Sequence, residues 1–106
     1  MTERTAEFVR VAAADEIPPG TGKAVVVDGR RIALFNVNGT FYAIDDTCTH
    51  EESSLSEGYI DEDIVECPKH GAMFHIPTGE VRSLPATKSE QTFPTVVEDG
   101  DLFVEA

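Results

Sequence analysis

Both cysteines of the chain and two of its three histidines fall in two short clusters, Cys48-Thr-His50 and Cys67-Pro-Lys-His70. Sixteen residues separate His50 from Cys67. Two thiolates and two imidazoles are a complete four-ligand set for a metal centre. Each cluster offers one sulfur and one nitrogen at close spacing, so two loops can grip one small object from two sides. A Cys48–Cys67 disulfide is the plainest alternative. It would leave the matched histidines unexplained, and disulfides are rare inside cells.

The order of the four residues resembles the Rieske [2Fe–2S] motif: C-x-H, a spacer, then C-x-x-H. His70-Gly71 follows that pattern too. The resemblance implies that Cys48 and Cys67 bind one iron and that His50 and His70 bind the other. It implies one [2Fe–2S] cluster as cofactor. Chain length, acidic balance and hairpin pattern are similar to those of the small ferredoxins that feed bacterial ring-hydroxylating dioxygenases. Such a protein is an electron carrier and not itself an enzyme. Its partners are an NAD(P)H-dependent flavoprotein reductase and a terminal oxygenase.

Histidine ligation has a physical consequence. Two thiolates neutralise a doubly positive diferric core, whereas four make it a dianion. An electron enters the neutral centre more easily, which raises the potential. Respiratory-chain members of the family add a disulfide and two hydroxyls beside the cluster. The corresponding positions are Ser53 and Lys69 for the disulfide, and Ala72 and Phe74 for the hydroxyls. Lacking those donors, the chain is expected near the low end of the Rieske span, about −150 mV. The resemblance also suggests Leu55 and Leu84-Pro85-Ala86 as shields over the cluster. No family position falls on His75, which reads as structural. Two other readings compete with the carrier. One is a small Rieske subunit of a different oxidoreductase. The other is a structural zinc site, although zinc fingers place both cysteines before both histidines.

Twenty acidic residues against eight basic ones give a net charge of −12. No Lys or Arg lies between Arg31 and Lys69, a stretch carrying nine acids: Asp45, Asp46, Glu51, Glu52, Glu57, Asp61, Glu62, Asp63 and Glu66. Such a surface repels nucleic acid and attracts a basic patch on a protein partner. No apolar run approaches the length of a membrane span. The first residues lack a secretory signal's apolar segment, so a cytoplasmic monomer is expected.

The elements that must position these ligands read as short strands. An all-β domain over 1–106 is expected from Val-, Ile- and Phe-rich runs separated by turn residues. Strands are predicted at Phe8–Val11, Ala24–Val27, Arg31–Asn36, Thr40–Ile44, Ile64–Glu66, Ala72–His75, Glu80–Arg82, Thr95–Glu98 and Leu102–Glu105. Asp28-Gly29, Asn38-Gly39 and Asp99-Gly100 suit two-residue hairpins, and Pro77-Thr78-Gly79 marks a turn. One short helical turn is allowed near Asp15–Gly20 before its prolines. By resemblance, an antiparallel β-sandwich base carries a cluster-binding subdomain, residues 45–77, at its tip.

Overall fold

The computed structural model describes residues 8–46, 54–68, 71–82 and 90–105. Ten strands form three antiparallel sheets, with no α-helix among the described residues. The strands are β1 (Phe8–Ala13), β2 (Thr21–Val27), β3 (Arg30–Val37), β4 (Thr40–Asp45) and β5 (Tyr59–Asp61). They continue as β6 (Ile64–Glu66), β7 (Met73–His75), β8 (Thr92–Phe93), β9 (Thr95–Glu98) and β10 (Asp101–Glu105). The sheet orders are β1-β10-β9, β2-β3-β4-β8 and β5-β6-β7. Single 3₁₀ turns occupy Ala14–Glu16 and Leu55–Glu57.

The hairpins follow from local chemistry. Asp28-Gly29, Asn38-Gly39 and Asp99-Gly100 each place two consecutive residues at positive φ. That is the conformation of a two-residue turn whose twist matches the flanking strands. The pairs Val27↔Arg30, Val37↔Thr40 and Glu98↔Asp101 close these hairpins. Buried Asn36 supports the second hairpin. Its amide donates to the Ile17 carbonyl at 2.7 Å, and its Oδ1 accepts from the Gly39 N–H at 2.7 Å.

Strand β3 organises the interior, because all five residues Ile32–Asn36 are buried. Successive side chains point to opposite faces. Ile32 and Leu34 join a core with Ile17, Phe93, Leu102 and Val104. Ala33 and Phe35 join a second core with Ile44, Leu55, Val65, Cys67, Phe74 and Ile76. One strand thus serves both the terminal sheet and the sheet that carries the second ligand cluster.

Two strands escape the sequence reading. Tyr59–Asp61 is short and acidic, yet it pairs fully with Ile64–Glu66 around Glu62, which itself adopts positive φ. Thr92–Phe93 pairs only with Ala43 and Ile44 at a sheet edge before Pro94, a place that tolerates proline. Conversely, predicted strand Glu80–Arg82 reduces to one bridge, Phe74↔Val81. Ala72 stands just outside β7, because its carbonyl closes the ligand turn described below.

Candidate metal centre

Cys67 is the one proposed ligand within the described residues; Cys48, His50 and His70 lie outside them, as do Ser53, Lys69 and Leu84-Pro85-Ala86. Cys67 is a free thiol, 2% exposed, directly after β6. Its N–H donates to the Ala72 carbonyl at 2.7 Å, and its own carbonyl accepts from the Gly71 N–H at 3.2 Å. These bonds close a tight loop between β6 and β7. Gly71 has φ +78, where a side chain is strained. The His-Gly pair therefore has a backbone reason. Beneath the loop, Leu55, Val65, Ala72, Phe74 and Ile76 are fully buried. Ala72 and Phe74 bring no hydroxyl to this core.

The first ligand cluster lies within residues 47–53, outside the described residues; Asp46 and Ser54 on either side are described. The Leu55 N–H donates to the Asp46 carbonyl at 2.7 Å. The Asp46 side chain is fully buried and well satisfied. Its Oδ2 accepts from the Ser54 hydroxyl at 2.5 Å and meets Arg31 Nη2 at 2.8 Å. Its Oδ1 accepts from the Ser56 N–H at 2.8 Å. Arg31 Nη2 also donates to Ser54 Oγ at 3.1 Å. Asp46 belongs by sequence to the acidic stretch expected at the surface. The structure corrects this: it faces inward, because an arginine, a hydroxyl and a backbone N–H replace its hydration. The Arg31 pairing had no motif to announce it. The only hint is that Arg31 is the last cation before a long base-free stretch.

His75 has a structural role here. Nδ1 lies 2.8 Å from the Thr78 hydroxyl and Nε2 2.9 Å from Asp63 Oδ2. The ring joins the β5–β6 turn to the turn after β7, where the Ile76 N–H also donates to the Asp63 carbonyl. Gly58 allows a close approach on the same sheet: a Cβ there would stand 2.3 Å from the Glu66 carbonyl oxygen. An open groove of about 400 Å³ lies elsewhere, between β4, Pro77 and Thr92–Thr95, and no cysteine, histidine or carboxylate lines it.

A buried thiol in a closed turn, sharing a core with Leu55, has the chemistry of an iron–sulfur ligand. Comparisons with known proteins agree. The Rieske [2Fe-2S] domain matches residues 7–94. The biphenyl dioxygenase ferredoxin subunit of Pseudomonas sp. (strain KKS102) is 42% identical over 99 residues, covering 92% of this chain and 91% of that protein. The 3-phenylpropionate/cinnamic acid dioxygenase ferredoxin subunit of Escherichia coli (strain K12) is 50% identical over 86 residues, 79% of this chain and 81% of that one. A solved complex of reduced oxygenase and oxidised ferredoxin in carbazole 1,9a-dioxygenase contains a chain of the same fold. It matches with a TM-score of 0.88 and 40% identity over 92% of both chains. The chain belongs to the Rieske [2Fe-2S] domain family, and its cofactor is one [2Fe–2S] cluster.

Proposed function

We propose that this protein is the one-electron carrier of a multicomponent aromatic-ring-hydroxylating dioxygenase. It takes electrons from an NAD(P)H-dependent flavoprotein reductase and delivers them to a terminal oxygenase. The observation that carries this reading is 42% identity to a dioxygenase ferredoxin over nearly the whole of both chains. The carbazole 1,9a-dioxygenase complex pairs such a ferredoxin with its oxygenase. Cys48 and Cys67 hold one iron, and His50 and His70 the other, within a cluster-binding subdomain of residues 45–77. A cluster so ligated accepts and returns one electron at a potential above that of all-cysteine ferredoxins.

The chain's own residues do the rest. Cys67 is withdrawn from water, and Leu55 and Phe74 pack in the same core. Neutral His50 and His70 keep the ligand set from building up negative charge and form the electron port. The acidic residues around the loops meet basic patches on partners in the cytoplasm.

The test is electron paramagnetic resonance of the dithionite-reduced protein and of His50→Ala and His70→Ala. The parent gives the rhombic signal of a histidine-ligated [2Fe–2S] centre, and both variants lose it or the cluster. An unchanged signal in either variant removes that residue from the ligand set. A colourless protein holding stoichiometric zinc overturns the carrier reading.

A further inference from the structure

The β5-β6-β7 sheet has two faces of opposite character. Its register sets Tyr59, Glu66 and Met73 in one cross-strand row, Ile60, Val65 and Phe74 in the next, and Asp61, Ile64 and His75 in the third. Successive rows point to opposite faces. The middle row faces inward: Val65 and Phe74 are fully buried, and Ile60 packs against their core. The outer rows share the other face. There Tyr59 is 71% exposed and Met73 38%, with Ile64 half-buried between the strands that carry them. One exposed apolar side chain is ordinary, but these three span every strand of the sheet.

The charge around Tyr59 has one sign. Residues 54–68 include Glu57, Asp61, Glu62, Asp63 and Glu66 and no Lys or Arg. Asp63 is engaged by His75, whereas Asp61 and Glu62 are exposed. Among the described residues, the cation joined to this sheet is Arg82, on the β7 side. Its backbone N–H donates to the Met73 carbonyl at 2.7 Å, and its Nε meets Glu80 at 3.4 Å. Tyr59 and Asp61 stand at the opposite edge, on β5.

We propose that this β5 edge of the outer face is a docking surface for an arginine side chain of the protein that exchanges electrons with this one. The guanidinium lies on the Tyr59 ring. Its charge faces Asp61, and its methylene stem covers Ile64. Arginine fits better than lysine, because a planar, weakly hydrated guanidinium stacks on a ring. Asp61 is six residues before Cys67, clear of the proposed ligands. Strand β6 runs from this face directly into Cys67, so a partner seated here stands beside the turn that holds it. The surface serves the carrier role proposed above and rests on that reading.

Tyr42 and Tyr59 are the chain's two tyrosines. Ring-labelled tyrosine therefore gives one reporter on this face and one in the groove beside β4. The experiment is nuclear magnetic resonance of the cluster-loaded protein, so labelled, titrated with a tri-arginine peptide and separately with tri-lysine. The Tyr59 signals should move saturably with tri-arginine while those of Tyr42 stay still. Tri-lysine should bind about threefold more weakly. Asp61→Asn should weaken tri-arginine binding about twofold, and Asp99→Asn, at an exposed turn elsewhere, should leave it unchanged. Equal affinity for the two peptides, or equal losses in the two variants, would reduce the effect to net charge and overturn the proposal. So would movement of Tyr42 instead, which places the peptide in the groove. Tyr59 signals that shift with protein concentration alone would put a second copy on this face and overturn it too. A parent without the histidine-ligated spectrum defeats the carrier reading, and the docking surface with it. A parent with that spectrum whose Tyr59 signals ignore tri-arginine defeats the docking surface alone.

Discussion

At the scale of single residues, charge placement separates surface from site. Asp46 and Glu16 are both paired with a cation, but only Asp46 is buried. The Lys23 ammonium donates to Glu16 Oε1 at 2.8 Å, and that bond holds the Glu16 carboxyl below its ordinary range. A carboxyl depressed in the folded state stabilises the protein above its unfolded value. The contribution is lost as pH falls through the folded value. Glu16 is exposed, so the effect is small and salt weakens it. Lys23→Met should flatten the acid limb of stability against pH, measured by urea unfolding at low salt. An acid limb as steep as the parent's would show that Lys23 does not set it. The Asp46 pairing is of another kind, because its hydration has been replaced entirely by protein groups.

At the scale of elements, two glycines expose two different constraints. A Cβ at Gly39 meets nothing within 4 Å, yet φ is +92. Gly39→Ala therefore costs backbone strain alone, about 1 kcal/mol or somewhat more. Gly58 has an ordinary φ of −78, but its Cβ would press on the Glu66 carbonyl at 2.3 Å. Gly58→Ala costs packing, roughly 1–3 kcal/mol, and the damage falls on the strand leading to Cys67. Urea midpoints give both losses. Visible spectra at equal folded fraction should be altered only in Gly58→Ala, and matching spectra would sever Gly58 from the site. The Asn38-Gly39 turn was readable in sequence because φ > 0 demands those residue types. Gly58 was not, since its reason is a carbonyl on another strand. The same distinction explains β5 and β8. Both are too short, at three and two residues, to read as a run in sequence, and both are supplied with hydrogen-bond partners by neighbours fixed elsewhere. The four proposed ligands stand out in the sequence because metal chemistry dictates residue type and spacing together. The Arg31 brace was not, since a salt bridge across fifteen positions leaves no pattern in one sequence.

At the scale of the whole molecule, a net charge of −12 dominates encounter with partners. Glu57, Asp61 and Glu62 are exposed, while Asp46 is withdrawn and Asp63 is engaged by His75. The usable acidic face is thus smaller than composition implies. Reduction of this protein by a flavoprotein reductase should slow as ionic strength rises, because screening shortens the reach of these charges. Neutralising Asp61 and Glu62 together should weaken that salt dependence. A rate indifferent to salt would remove the acidic face from recognition.

Strand β1 lies against β10, with Phe8 opposite Glu105, and this sheet's buried residues belong to the core that lacks Cys67. The two ends of the described chain therefore emerge side by side from the sheet least involved in ligation. A short linker joining them, with a new opening at the Asn38-Gly39 turn, would make a circular permutant that keeps both ligand loops intact. A tether at either end would likewise attach the protein to an electrode by the terminal sheet, without a modification in either ligand loop.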